Sequence, residues 1–229
     1  GSAYLESLMI RGTHSTHPRP GCAVVVNGGS SVHMQECVVV GERSDAAVAV
    51  RGRGSKLTAI NSRMHNSMQS ALIAHGGHVV LKGCRCDGCI CNWGGWRVCD
   101  RGITAHNSHS PMWPLYGVEA RVAQCSMDNG QSRGLEAYGS GTFVSADATS
   151  FSGSSFTNVS ASQGSNVKLS GCQMNKSSYD YGMEAKDQGT TITVDATCEA
   201  KGNARGRSCE SGGGRVVWPS APSRHCSVS

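Results

Sequence analysis

A repeat of about 24 residues constrains this chain more than any other feature, because a fixed period of this length marks a stacked repeat architecture. A small residue, an apolar residue, any residue and then Ala or another apolar residue recur together. The phrase reads Ala47-Val48-Ala49-Val50, Ala71-Leu72-Ile73-Ala74, Gly117-Val118-Glu119-Ala120, Gly134-Leu135-Glu136-Ala137, Asn158-Val159-Ser160-Ala161 and Gly182-Met183-Glu184-Ala185. With Val24 and Val98 added, the apolar anchors are Val24, Val48, Leu72, Val98, Val118, Leu135, Val159 and Met183. Val24, Val48 and Leu72 are evenly spaced, and Leu135, Val159 and Met183 repeat the same interval. The steps from Val98 to Val118 and from Val118 to Leu135 are short. They adjoin in the middle, beside an insertion.

A second phrase lies between the anchors: Val32 to Cys37, Leu57 to Ser62, Val79 to Cys84, Ile103 to Ser108, Val144 to Thr149, Val167 to Cys172 and Ile192 to Thr197. Its first and third residues are apolar or small, and each copy ends in Cys, Ser or Thr. Such period-2 alternation is a strand with one buried face. Gly, Asn and Ser gather between the phrases, as turns require. Only 8 Leu stand against 21 Val and 30 Gly, a composition that excludes a helix bundle. Two or three short strands per repeat, without a helix, predict an all-β fold: a single-stranded right-handed parallel β-helix, or β-solenoid, of about eight coils of ~24 residues. The hand follows from the preference of parallel crossovers. Stacked at strand spacing, eight coils make a rod roughly 35–40 Å long. The solenoid is assigned to residues 3–200. Gly1-Ser2 reads as a cloning scar, and residues 201–229 as a cap or flexible tail, with Arg215 to Trp218 as a candidate last strand.

The Gly-[Val/Leu/Met]-Glu-Ala and Val-x-Leu-x-x-Cys phrases resemble the right-handed parallel β-helix repeats of the pectin lyase-like superfamily, nearest to those of carbohydrate-binding and sugar-hydrolase modules. Similar repeats occur in non-catalytic β-helix modules of F-box ubiquitin-ligase subunits and of adaptor-binding spindle proteins. The resemblance spans residues ~5–200 and implies the fold; the superfamily holds both enzymes and binders.

Strand alternation then sorts the polar residues into outward columns. One column reads Ala49, Ile73, Cys99, Glu119, Glu136, Ser160 and Glu184. The next reads Asn27, Arg51, His75, Arg101, Arg121, Tyr138, Ser162 and Lys186. This predicts a mainly basic face flanked by three glutamates, with Glu119 and Glu136 one rung apart and Arg121 as their counter-ion. Such a face suits an acidic or polyhydroxylated ligand, though a plain solvated surface accounts for it more simply. An enzyme of the resembled superfamily needs more. The polygalacturonase-like members carry an Asp-Asp pair with Gly-His and Arg-x-Lys motifs, and only Gly77-His78 matches. The scattered aspartates form no calcium cluster, no Asp-x-Asp occurs, and the epimerase-type Asp-Pro-His is absent.

Trp93, Trp96, Trp113 and Tyr116 sit close together in a chain with only 4 Trp, 5 Tyr and 3 Phe. They are either a binding platform or a cover over the insertion. The cysteines form two groups. Cys37, Cys84 and Cys172 share a column with Ser62, Ser108, Thr149 and Thr197, which small inward residues at a turn explain. The run Cys84, Cys86, Cys89 and Cys91, with Cys99 nearby, admits zinc, a disulfide or plain thiols. Its spacing follows strand alternation rather than separated knuckles, so neither a metal nor any other cofactor is expected. Thiols without evident partners favour a reducing compartment over secretion, against which stand two glycosylation sequons at Asn158 and Asn175. No apolar run is long enough to span a membrane. The basic loops lack interleaved aromatics, which argues against nucleic acid.

The sequence therefore predicts a non-catalytic binding or scaffolding module, with a protein partner or a polysaccharide. The expected contact set is Trp93, Trp96, Arg101, Trp113, Tyr116, Glu119, Arg121, Glu136, Tyr138, Glu184 and Lys186. The alternative is a polysaccharide lyase or glycoside hydrolase that uses the outward carboxylates.

Overall fold

The computed structural model describes residues 1–12, 21–42, 44, 46–65, 70–87, 101–106, 118–127 and 133–219. Among these there is no helix, and every strand pairing is parallel. The chain winds through three sheets in turn. Sheet 1 stacks eight strands: Cys22–Val26, Ala46–Arg51, Ser70–His75, Arg101–His106, Arg133–Tyr138, Val159–Ser162, Tyr181–Lys186 and Gly206–Ser211. Sheet 2 stacks nine: Ser2–Glu6, Ser31–Gln35, Lys56–Ile60, Gly77–Lys82, Val118–Ala123, Phe143–Asp147, Asn166–Ser170, Thr191–Val194 and Arg215–Val217. Sheet 3 has four, Met9–Arg11, Val38–Val40, Arg63–His65 and Arg85–Asp87, and continues as single bridges joining Arg85, Ser126, Ser150, Gln173 and Glu199. The fold is the predicted parallel β-solenoid.

About six turns keep the regular spacing, slightly fewer than the eight expected. The two middle coils are longer. Leu72 pairs with Ile103 and Ile103 with Leu135, whereas Val48 pairs with Leu72 and Leu135 with Val159. This corrects the sequence assignment there. Ile103, read as part of the second phrase, lies in sheet 1. Val118, read as a sheet 1 anchor, lies in sheet 2, opposite Gly77. The two phrases share one apolar alternation, so an insertion between them hides which sheet each joins. Val98 lies outside the described residues. The coils also continue beyond residue 200, as far as Val217.

The core runs along the axis as columns of like residues. Val48, Leu72, Leu135, Val159 and Met183 come from sheet 1; Leu57, Val79, Ala120, Val144, Val167 and Ile192 from sheet 2; Val39, Met64, Cys86, Met127, Phe151 and Met174 from the third face. All are buried. Val24, on the first rung of its sheet, is only half-buried.

The bend from sheet 2 to the third face uses one left-handed residue per coil: Ser7, Glu36, Asn61, Gly83, Gln124, Ala148 and Gly171, with φ between 43° and 62°. Most are not glycine, although this region disfavours a side chain. Their amides still donate to the next coil, as in Asn61 N to Lys82 O at 2.8 Å and Ala148 N to Ser170 O at 2.8 Å. A Cβ at Gly83 would sit 2.4 Å from Asn61 Oδ1, so a side chain there would displace the Asn61 amide.

The residue after each bend turns inward, giving the column Cys37, Ser62, Cys84, Cys125, Thr149 and Cys172. Side chains of this column accept amides from the preceding coil: Cys37 N donates to Ser62 Oγ at 3.1 Å, Cys84 N to Cys125 Sγ at 3.3 Å and Cys125 N to Thr149 Oγ1 at 3.3 Å. Each also donates to the carbonyl two residues back, as Ser62 Oγ does to Ile60 O at 2.9 Å. The column is thus a hydrogen-bonded ladder, and Cys125 takes the rung expected for Ser108, which lies outside the described residues.

At the last such corner Asp195 accepts Ser170 Oγ and Thr197 Oγ1, each at 2.6 Å, and the amides of Thr197 and Gly171. The Ser170 hydroxyl first, then that of Thr197, holds its carboxyl well below the ordinary carboxylate range. A depressed folded-state pKa stabilises above the unfolded value of about 4 and loses that contribution as the pH falls. Asp195→Asn is therefore expected to lower the melting midpoint at pH 7 and to flatten its dependence on pH below about 4, measured by thermal melts from pH 7 to 2.

The C-terminal end is closed by a buried acid. Glu210 points inward beside Ala185 and accepts the amide of Val216 at 2.6 Å. The Arg207 guanidinium lies 4.1 Å above the Trp218 ring.

Candidate functional site

The sequence Arg51-Gly52-Arg53-Gly54-Ser55-Lys56 makes the corner from sheet 1 into sheet 2. Gly52 and Gly54 take φ of 82° and 78°, and Ser55 Oγ closes the turn by donating to Arg51 O at 2.8 Å. The same device recurs where Thr142 Oγ1 donates to Tyr138 O at 2.9 Å. Ser55 in turn accepts the amide of Gly29 with its Oγ and that of His78 with its carbonyl. The corner is therefore tied to the coils on both sides.

A cleft of about 240 Å³ opens there, lined by Arg53, Gly54, Ser55, Lys56, Gly77, His78 and Glu119. Lys56, His78 and Glu119 are in register on three neighbouring strands of sheet 2, and Phe143 follows them in the same column. Arg121 Nε and Nη2 both donate to Glu119 Oε1, at 3.0 and 2.8 Å, while His78 Nδ1 lies 3.4 Å from Glu119 Oε2. The Arg121 hydrogen bonds chiefly hold the Glu119 carboxyl below its usual range, against the opposing effect of desolvation and with a lesser contribution from His78. Glu119 is thus a fixed anion among Arg53, Lys56, Arg121 and His78, and the cleft keeps an excess of positive charge. Phe143, in register beside Glu119, is 43% exposed.

The remaining predicted residues are dispersed. Glu136 and Glu184 stand in one outward column of sheet 1, with Ser160 between them. Glu119 is in sheet 2, so the expected pairing of Glu119 with Glu136 does not exist. Glu136 is held by Arg133 Nη1 at 3.1 Å and Glu184 by Lys186 Nζ at 2.8 Å, and both carboxylates are largely buried. The basic column of sheet 1 runs Arg51, His75, His106, Tyr138 and Ser162, with Lys186 further along. His106 takes the place expected for Arg101 and Arg121. Arg101 instead opens its strand, in register with Ser70 and Arg133. Burial first, then the nearby Arg51 charge, pushes His75 below the ordinary histidine range, so it adds no charge at neutral pH. Trp93, Trp96, Trp113 and Tyr116 lie outside the described residues, as do Cys89, Cys91 and Cys99.

Sequence reading missed Arg53, Lys56, His78 and Phe143 as neighbours of Glu119. The basic loop and the Gly77-His78 dipeptide were both visible. The long stretch of chain between His78 and its partner Glu119 concealed the contact. A second exposed aromatic pair also went unnoticed: Phe156 and Tyr179, with ring centroids 6.2 Å apart, on loops of adjacent coils. Asn158 is wholly buried beneath these loops, so its sequon offers no free amide for a glycan.

Among the described residues no group of three His, Cys, Asp or Glu side chains is placed to hold a metal. Cys37, Cys84, Cys125, Cys172 and Cys198 are thiols, and Cys209 is disulfide-bonded. No known protein family matches this chain, and neither the curated proteins nor the solved structures contain a match to it. Fold and site together define a parallel β-solenoid with a basic corner cleft.

Proposed function

We propose that this solenoid is a non-catalytic binding module for an acidic polysaccharide, which it holds at the corner cleft. The observation that carries the reading is the clustering of Arg53, Lys56, His78 and Arg121 around one neutralised carboxylate, with the exposed Phe143 ring in the same column. Uronate or sulfate groups answer the cations by charge-assisted hydrogen bonds, and the apolar face of a sugar answers the ring. The catalytic alternative is weakened because Glu119, Glu136 and Glu184 are each tied to a cation and do not face one another.

Calorimetric titration with a uronic-acid hexamer tests this reading. Lys56→Ala and Phe143→Ala are each expected to weaken binding about 5- to 10-fold. Arg121→Ala should cost more, because it also leaves Glu119 to repel the ligand. Glu119→Gln should strengthen binding, a direction that a purely structural role would not produce. Affinity should fall as salt rises. Binding indifferent to all four substitutions refutes the cleft, and shortening of the hexamer during titration would restore the enzyme reading.

A further inference from the structure

We propose that Cys172 and Cys198 form a thiol–disulfide exchange site, which closes into a cross-link between two successive coils. Both lie at the corner after sheet 2, immediately before the bridged residues Gln173 and Glu199. The amide of Cys172 donates to Cys198 Sγ at 3.2 Å, so the second sulfur lies directly over the backbone of the first cysteine. Cys172 Sγ donates to Ser170 O at 3.3 Å and reaches Ala146 O of the preceding coil at 3.5 Å. The two thiols also share a hydrogen bond, which draws Cys172 below the ordinary thiol range and pushes Cys198 above it. Stacked coils hold such residues about 4.8 Å apart at Cα, inside the range a disulfide spans.

Access separates this pair from a similar one. Cys84 and Cys125 are stacked in the same ladder, with Cys84 N donating to Cys125 Sγ at 3.3 Å, but both are buried. Cys198 is partly exposed, while Cys172 is sealed inside. A low-molecular-weight disulfide such as oxidised glutathione therefore reaches Cys198 first. Cys198 Sγ attacks one glutathione sulfur as its proton passes to the departing thiolate, the glutathione S–S bond breaks, and one molecule of reduced glutathione leaves. Cys172 Sγ then attacks Cys198 Sγ, and its proton passes to the second glutathione thiolate, which the attack expels. The protein loses two electrons and two protons, and the oxidant becomes two thiols. The new bond encloses the strands Tyr181–Lys186 and Thr191–Val194, a complete coil, and so fixes the C-terminal end of the solenoid.

The test uses the intact chain, incubated natively with oxidised glutathione, alkylated, digested and read by mass spectrometry. The expected result is a peptide pair joined through Cys172 and Cys198, with Cys84 and Cys125 alkylated only after unfolding. The melting midpoint should rise by on the order of 5 °C and return with reductant. In Cys172→Ser, Cys198 should keep a stable glutathione adduct. Serine is tolerated at this rung, since Ser62 occupies the same column. Cys198→Ser should take up no glutathione at Cys172, which gives an independent reading if the first variant folds poorly. Both thiols remaining alkylatable, a persistent adduct in the unmodified chain, or Cys198 joined to another cysteine would each overturn the proposal.

Discussion

Leu135→Ala is expected to lower the free energy of unfolding by about 3–5 kcal/mol, read from urea denaturation of the whole chain. Leu135 is fully buried at the centre of the rod, on a strand that pairs in register with Ile103 on one side and Val159 on the other. Its neighbours along the axis are fixed at strand spacing by the parallel ladder. They cannot collapse into the space left by the missing methyl groups without breaking hydrogen bonds on both sides. The cavity therefore persists, and its cost adds to the lost transfer energy. Leu72→Ala, on the far side of Ile103, should behave alike. Losses below about 1 kcal/mol at both would mean that this column is not core.

Asn158→Ala should cost nearly as much, about 3 kcal/mol, although it removes no apolar contact. The side chain is wholly buried and satisfies three loops at once. Its Oδ1 accepts the amide of Ser154 at 3.2 Å, and its Nδ2 donates to Asn175 O and Asn203 Oδ1, both at 3.1 Å. Alanine would leave a buried donor without an acceptor and weaken two acceptors. Asn158→Asp should fare no better. A carboxylate keeps the Ser154 bond but sets its second oxygen against the two oxygens of Asn175 and Asn203. If Asn158→Asp melts like the unmodified chain, the amide donor bonds carry no weight. The same two variants bear on Phe156 and Tyr179, since these loops carry both rings.

The solenoid was legible before any coordinates. Alternation within a strand, a small residue after each bend and turn residues between strands are local properties, and a fixed period repeats them until stacking is the one arrangement that buries every apolar column. The inward Cys, Ser and Thr ladder was legible too, because only small side chains fit the inside of a tight bend, except that Cys198 takes the rung expected for Thr197, which is exposed. How the coils pair across the insertions was not. An insertion changes residue numbers without changing register. Ile103 therefore joins Leu72 and Leu135, and Glu119 comes to rest beside His78 rather than Glu136. The left-handed conformation of Glu36, Gln124 and Ala148 was equally hidden, since it is imposed by hydrogen bonds to the adjoining coil and not by anything in those side chains. The candidate site follows from the same cause. Arg53, Lys56, His78, Glu119 and Phe143 are scattered along the chain and meet only because parallel stacking places equivalent positions of successive coils about 4.8 Å apart.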